Sequence, residues 1–150
     1  MSNIPDIRYH DQGALAEAIA TDAHRGQFRN DGVTPYIEHP KRVASMLATR
    51  GSTLVAIAWL HDVLEDTAIT AQDLLQQGIR QDIIDSVIRL TKDPSLTYEQ
   101  NIDRICGDPN AELVKIADHL DNLSDSPSRK QVARYTNSLK KLLNLSPCAS

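Results

Sequence analysis

The sequence predicts an all-α protein, and three observations favour that fold class. Apolar residues recur at intervals of three and four along most of the chain, which is the spacing of one helix face. These windows are bounded by helix start and stop signals. No window alternates apolar with polar residues over the length of a strand. We therefore expect an irregular arrangement of about seven helices.

The length of the chain limits the number of domains. Its 150 residues can bury one substantial core but are too few for two ordinary domains. We expect a single domain over residues 1–150, with a core over about residues 12–125 and a carboxyl-terminal helix over about residues 128–143.

Caps and breakers predict the elements of the amino-terminal half. Asp11 can cap a first helix, and Pro40 suits the first position of a second helix. Between them, residues 24–35 are typical of a loop, because glycine, asparagine and proline interrupt the periodicity. Ser52 opens a third helix. Its segment 54–60 is apolar all round, which predicts a central, buried helix.

The carboxyl-terminal half is predicted in the same way. Thr70 and Thr97 each begin a capping-box pattern at the start of a helix. An apolar stripe marks a further helix over residues 83–90. Asn110 is expected to cap the next helix, and a final helix starts near Ser128.

The charge distribution argues against nucleic acid as a partner. The formal net charge is −4, whereas a protein that clamps a nucleic-acid backbone usually shows a basic stripe. One modest basic cluster occurs, which we interpret as the solvated face of the last helix: Arg129, Lys130, Arg134, Lys140 and Lys141. An acidic protein that binds phosphates must do so locally, often through a metal.

Cysteine usage and hydropathy predict the compartment. Cys106 and Cys148 are far apart and unpatterned, which favours a reducing compartment and no structural disulfide. The amino terminus lacks the apolar core of a signal peptide. No apolar stretch is long enough to span a bilayer, so we expect a soluble, cytoplasmic protein without a membrane partner.

A cluster of polar residues follows the most apolar helix. Segment 54–60 runs directly into His61 and Asp62, and Glu65 and Asp66 come within the next turn. An unpaired buried charge costs several kcal/mol, so acids at the end of a buried helix need a partner. Few cations are close in sequence, and a divalent metal is the simplest partner.

Two further positions fit the same pattern. Asp118 interrupts the core-like segment 113–117, and His39 precedes Pro40 at the predicted start of a helix. Imidazole and carboxylate ligands suit Mn²⁺, Fe²⁺ or Zn²⁺, whereas a structural zinc site would favour cysteine. The candidate metal ligands are therefore His39, His61, Asp62 and Asp118.

Four sequence blocks resemble a known family. They are residues 23–29 (AHRGQFR), 34–40 (TPYIEHP), 60–67 (LHDVLEDT) and 115–123 (KIADHLDNL). In this order they resemble the hydrolase domain of RelA/SpoT-type proteins and of small alarmone hydrolases. The resemblance implies an HD-domain fold, a bound Mn²⁺ ion and removal of the 3′-pyrophosphate from ppGpp or pppGpp, which are small purine nucleotides.

The resemblance also implies roles for individual residues. The metal ligands match the four candidates named above, and Glu65 and Asp66 match the pair that orients and activates the attacking water. The expected substrate-binding residues include Arg29, which matches a residue that packs on the purine base. Asn122 matches a residue near the ribose and metal. We also expect Tyr36 in the base pocket, while His24, which ends the first helix, is either a carboxyl-terminal cap or a pocket residue.

Three positions depart from the family pattern and leave the substrate open. Asn30 replaces a basic residue, His119 replaces lysine or arginine, and Asp121 replaces an aromatic residue or histidine. Asp121 is expected to add negative charge near the phosphates, and His119 is expected to face solvent. One alternative is a nucleotidase or phosphatase acting on a nucleoside monophosphate, ppApp or NADPH. Another is a non-catalytic nucleotide sensor, against which the intact water-activating pair argues.

Overall fold

Helices form nearly all of the regular structure of residues 11–145, the part of the chain that the computed structural model describes. In chain order they are α1 (Gln12–Ala23), α2 (Glu38–Met46), a 3₁₀ turn (Ala48–Arg50), α3 (Ser52–Leu60), α4 (Val63–Asp66), α5 (Ala71–Gln76), α6 (Gln81–Leu90), α7 (Tyr98–Ile105), α8 (Pro109–Leu123) and α9 (Arg129–Leu142).

The all-α prediction is confirmed. Within residues 11–145 the only β-type pairing is an isolated bridge between Phe28 and Pro35. The sequence does not predict the single turn α4, which forms where the chain breaks at His61 and ends before Thr67.

Helix α3 is the centre of the fold, as its apolar sequence predicts. Its Ala56, Ile57, Ala58 and Leu60 side chains have no solvent exposure. Helices α1, α2, α6 and α8 all pack against it. Burying a leucine or isoleucine side chain contributes about 1.5–3 kcal/mol, so the packing of Ile57 and Leu60 fixes the position of α3 and of the residues at its end.

The predicted caps are mostly present. The Asp11 carboxylate accepts a hydrogen bond from the backbone N–H of Ala14 at 3.0 Å. Thr70, Thr97 and Ser128 each begin a complete capping box. Each box satisfies two backbone donors that the first helical turn leaves without partners, which fixes where the helix begins.

Two predicted helix starts are wrong by one or two residues. Helix α2 begins at Glu38, so His39 and Pro40 occupy its second and third positions instead of the cap and first position. Proline is tolerated there, since first-turn N–H groups have no helical partner. Helix α8 is capped by Asp108, whose carboxylate accepts from the N–H groups of Asn110 and Ala111.

Two observations bear on the membrane and disulfide predictions. Among the described residues, no helix has the length and apolar character needed to cross a membrane. Cys106 is disulfide-bonded, so the expectation of no structural disulfide is wrong. Cys148 lies outside the described residues.

Candidate metal centre and active-site cleft

Three helices bring the four predicted metal ligands together. His39 lies in the first turn of α2, His61 and Asp62 follow the last residue of α3, and Asp118 lies in the middle of α8. Helices α2, α3 and α8 all pack against one another. The polar side chains that they carry therefore meet beside the end of α3.

The nitrogen and oxygen atoms of these residues converge closely. His39 Nε2 lies 2.8 Å from Asp118 Oδ1 and 3.2 Å from His61 Nε2. Asp62 Oδ2 lies 3.1 Å from His61 Nε2 and 3.5 Å from His39 Nε2. His61 Nε2 lies 3.5 Å from Asp118 Oδ1. Ligands about 2.1 Å from one metal ion are separated by about 3.0 Å at right angles and about 3.4 Å in a tetrahedron. The observed separations of 2.8–3.5 Å lie close to these values, and ligand atoms of His39, His61 and Asp62 all lie within 4.8 Å of one another.

The outer nitrogen of each imidazole fixes which atoms face inward. His61 Nδ1 lies 2.6 Å from the Ala58 carbonyl oxygen, and His39 Nδ1 lies 2.6 Å from Asp121 Oδ2. Both partners can only accept, so each Nδ1 donates its proton. In the neutral rings the Nε2 lone pairs then point at each other and at two carboxylates. These lone pairs and carboxylates converge without a positive charge between them, and their chemistry fits a divalent metal ion.

Protons and a metal compete for this cluster. Burial opposes a positive charge on His61, but the nearby Asp62 and Asp118 carboxylates raise its pKa well above the ordinary value. Burial likewise opposes ionisation of Asp118, but Lys115 and the two imidazoles hold the pKa of Asp118 well below its ordinary value. Because metal ligands must be deprotonated, metal affinity is expected to fall as the pH is lowered.

Neighbouring side chains hold the two carboxylates in place. The Tyr36 hydroxyl donates to Asp62 Oδ2 at 2.6 Å. Asn122 Nδ2 donates to Asp118 Oδ1 at 3.0 Å, and Lys115 Nζ donates to Asp118 Oδ2 at 2.8 Å. Tyr36 and Asn122, predicted as substrate-binding residues, therefore also support the metal site.

The predicted water-activating pair lies at the rim of the cluster. Carboxylate oxygens of Asp62, Glu65 and Asp66 all lie within 4.8 Å of one another. Glu65 Oε1 accepts a hydrogen bond from the backbone N–H of Lys92 at 2.7 Å, which fixes that carboxylate. Burial, and then repulsion from Asp62 and Glu65, raise the pKa of Asp66 to about 6. A carboxyl group with that pKa can exchange protons near neutral pH.

A continuous cleft extends from the metal cluster. A cavity of about 210 Å³ lies over the cluster, and one of about 180 Å³ lies beside it. Tyr36, Asn122 and Tyr135 line both cavities. The second cavity also contains Arg29, whose Nη2 donates to Asp125 Oδ2 at 2.8 Å. Arg29 thus lies in the cleft and is held by an ion pair with Asp125. A planar base could pack against its guanidinium group.

His24 lies behind the cleft. Only 2% of the residue is exposed, and its Nδ1 lies 2.8 Å from Gln27 Oε1. Its ring centroid lies 5.0 Å from that of Tyr36. This burial favours a role in holding Tyr36 over direct contact with a substrate.

The sequence did not indicate two further cations of the cleft. Lys115 and Arg134 both line the cavity over the cluster, and the Arg134 guanidinium carbon lies 4.9 Å from the centre of the Tyr98 ring. Arg134 had been predicted only as part of a solvated face. The spacing of Lys115, three residues before Asp118 on one helix, is a signal that could have identified that ion pair.

His119 is buried, which contradicts the expectation that it faces solvent. It is 1% exposed, and its Nε2 lies 2.7 Å from Ser138 Oγ on α9. Its ring also packs near Tyr135. Helix α9 covers this face of α8, and burial lowers the pKa of His119 to about 4, so its ring is neutral. The fold and the His-Asp cluster together define the HD-domain class of proteins.

The most similar curated proteins have closely related names. A guanosine-3′,5′-bis(diphosphate) 3′-pyrophosphohydrolase of Haemophilus influenzae is 35% identical over 79% of this chain and 20% of its own length. The bifunctional (p)ppGpp synthase/hydrolase SpoT of Escherichia coli K12 is 35% identical over 81% of this chain and 20% of its own length. The corresponding MESH1 pyrophosphohydrolase of Xenopus tropicalis is 35% identical over 77% of this chain and 70% of its own length. The chain therefore belongs to the family of guanosine-3′,5′-bis(diphosphate) 3′-pyrophosphohydrolases, as the four sequence blocks predict.

A solved structure agrees with this family. A metazoan ortholog of SpoT, described as hydrolysing ppGpp, superposes with a TM-score of 0.72 at 27% sequence identity, covering 89% of this chain and 84% of the other. No family model matches the chain. The chain spans about a fifth of the length of the bacterial relatives named above.

Metal binding is expected to raise the thermal stability of the protein. At a Mn²⁺ concentration of about 100 times the dissociation constant, binding to the folded state alone contributes about 2.7 kcal/mol. For a chain of this length that corresponds to a rise in Tm of about 5–10 °C. Differential scanning calorimetry of the metal-stripped protein, with and without Mn²⁺, measures the shift. The same measurement on Asp118→Asn is the control, and an equal rise in that variant would contradict the ligand assignment.

Proposed function

We propose that this protein is a metal-dependent hydrolase that removes the 3′-pyrophosphate from ppGpp or pppGpp. The observation that carries the proposal is the convergence of His39, His61, Asp62 and Asp118 beside Glu65 and Asp66, in a chain of this family. The adjoining cleft supports a nucleotide as the substrate, because it combines cations, aromatic rings and a cavity beside the cluster.

The proposed reaction assigns one task to each group of residues. A divalent metal held by the four ligands would act as a Lewis acid and lower the pKa of water at the site. Asp66 takes the proton of the attacking water, since its pKa of about 6 lets it act near neutral pH. Glu65, fixed by the Lys92 N–H, orients that water.

The remaining charges favour a phosphate-bearing substrate. Water attacks the phosphorus atom bonded to the ribose 3′ oxygen. That bond breaks, the 3′ oxygen gains a proton, and pyrophosphate leaves. Lys115 and Arg134 line the cavity over the cluster and are placed to offset the negative charge of the 3′-pyrophosphate group under attack. Arg29 and Tyr135 line the neighbouring cavity, which is the proposed position of the purine base.

One departure from the family pattern does not oppose this substrate. Asp121 was expected to place a negative charge beside the phosphates, but it is 2% exposed and accepts a hydrogen bond from His39. Asn30 lines the second cavity, so this chain has an uncharged amide where a basic residue would place a positive charge beside the substrate.

The finer features of the proposal are the metal and the location. We propose Mn²⁺ as the ion, because two imidazole nitrogens and two carboxylate oxygens suit it. The substrate is a small-molecule purine nucleotide, and we place the reaction in the cytoplasm. Activity of the metal-stripped protein after addition of Mn²⁺, Mg²⁺, Fe²⁺ or Zn²⁺ tests the choice of metal.

Product analysis tests the substrate. The Mn²⁺-loaded protein is expected to convert ppGpp to GDP and pppGpp to GTP, with one pyrophosphate released per turnover. The panel also contains ppApp, NADPH and nucleoside monophosphates, with products separated by ion-exchange chromatography. Release of orthophosphate from NADPH or a monophosphate, with ppGpp left intact, would replace this proposal by a phosphatase. Tight binding of ppGpp without turnover would indicate a sensor.

A further inference from the structure

Asp118 and Asp121 lie one turn apart on α8, and both carboxylates contact the ring of His39. Asp118 Oδ1 lies 2.8 Å from Nε2 of that ring, and Asp121 Oδ2 lies 2.6 Å from Nδ1. The exposed fraction is 1% for the His39 side chain and 2% for the Asp121 side chain. One helix therefore supplies a contact to each nitrogen of one buried imidazole.

We infer that Asp121 is a positioning residue of the metal centre, which holds the Nδ1 proton of His39 and directs the Nε2 lone pair of that ring to the metal. The inference rests on the proposed metal site but goes beyond it, because residue 121 is not needed as a ligand.

A carboxylate is an effective partner for a metal-binding imidazole. By accepting the Nδ1 proton it fixes the tautomer and the ring orientation, and it increases the basicity of Nε2. His61 has a weaker partner in the same position, the neutral carbonyl oxygen of Ala58. Of these two rings, His39 is therefore the one whose outer nitrogen contacts a full negative charge.

The surroundings of Asp121 keep its carboxylate charged. Arg29 Nη1 lies 3.6 Å from Oδ2, and Arg42 Nη1 lies 3.9 Å from Oδ1. A buried carboxylate can remain ionised when such partners surround it.

A purely structural role as the counter-ion of Arg29 explains the contacts less well. Arg29 has a closer partner in Asp125, at 2.8 Å, than in Asp121, at 3.6 Å. The shortest contact of the Asp121 carboxylate is with His39 at 2.6 Å. The geometry thus assigns Asp121 first to the imidazole and only second to the guanidinium.

Mn²⁺ titration of metal-stripped protein by isothermal calorimetry tests the inference. Asp121→Leu removes the acceptor, and its dissociation constant for Mn²⁺ is expected to rise about 10- to 100-fold. Asp121→Asn keeps an acceptor oxygen but loses the charge, so a smaller rise is expected. Asp125→Asn is the matched control, because it removes the other carboxylate beside Arg29, and its Mn²⁺ affinity is expected to equal that of the wild type.

Two further measurements separate a positioning role from a structural one. The turnover lost by Asp121→Leu is expected to recover at saturating Mn²⁺, and the Tm of the metal-stripped variant shows whether it folds. Wild-type affinity for Mn²⁺ in folded Asp121→Leu would overturn the inference and leave the metal site standing. If Asp121→Leu does not fold, wild-type affinity for Mn²⁺ in Asp121→Asn overturns the inference instead. A wild-type protein that binds no Mn²⁺ overturns both proposals.

Discussion

Replacement of His61 by alanine is expected to abolish Mn²⁺ binding and to lower pyrophosphate release about a thousandfold. His61 contributes an Nε2 atom 3.1 Å from Asp62 and 3.2 Å from His39, so its loss removes the central member of the cluster. The stabilisation that a Lewis-acid metal gives to transition-state charge is several kcal/mol, and about 4 kcal/mol corresponds to a thousandfold change in rate. Calorimetry with Mn²⁺ and a coupled pyrophosphate assay measure the two effects.

His119→Gln is the matched control for this prediction. It also removes a buried imidazole, and the residue is next to Asp118, but its ring contacts Ser138 and Tyr135 instead of the cluster. We expect it to lose some folding stability, because glutamine does not fill the volume of the buried ring, while its Mn²⁺ affinity stays the same. Equal loss of metal binding in both variants, or full turnover by His61→Ala, would contradict the assignment of the site.

The sequence singles out the four residues that the structure brings together, because their signal is local. The apolar segment 54–60 must be buried, so His61 and Asp62 directly after it are polar residues at the edge of a core. Asp118 interrupts an apolar stripe in the same way. Polar residues at the edge of a core need partners that offset the cost of burying them, and four of them in one chain suggest a common partner.

The remainder of the site depends on which helices pack together, and a single sequence does not show that. His119 was expected to face solvent because nothing in α8 indicates that α9 covers that side. Asp121 was expected beside phosphates, but the position of α2 turns it toward His39 and Arg42. Arg134 lines the cleft because α9 crosses α8 near the cluster. Each error concerns a tertiary contact between helices whose existence was predicted correctly.

Helix α8 combines these tertiary effects in one element. It carries Asp118 at the cluster, and Lys115 and Asn122 donate to the two carboxylate oxygens of that residue. Asp121 on the same helix contacts the other side of the His39 ring. A small rotation of α8 would therefore disturb a metal ligand and its supporting residues together, which ties the chemistry to the packing of α8 on α2 and α3.

Replacement of Asp66 by asparagine is expected to lower kcat by about 10²- to 10⁴-fold and to leave Mn²⁺ affinity nearly unchanged, because a general base contributes to the rate and not to metal binding. Asp85→Asn, at an exposed position on α6, is the matched control and should keep wild-type turnover. Glu65→Gln still offers an oxygen to the Lys92 N–H. It should therefore lower kcat less than Asp66→Asn does, and a larger effect of Glu65→Gln would reverse the two assignments.

The pH dependence of kcat provides an independent test of the same assignment. A general base acts only when deprotonated, so kcat of the wild type should be constant at higher pH and fall as the pH drops below the pKa of Asp66. That pKa is raised to about 6 by burial and by the neighbouring carboxylates. A bound divalent cation lowers it again, because positive charge favours the carboxylate. The acid limb should therefore lie at or below about pH 6 and be absent in Asp66→Asn, since an amide does not titrate there. An acid limb that persists unchanged in Asp66→Asn at saturating Mn²⁺ would assign the proton transfer to another group.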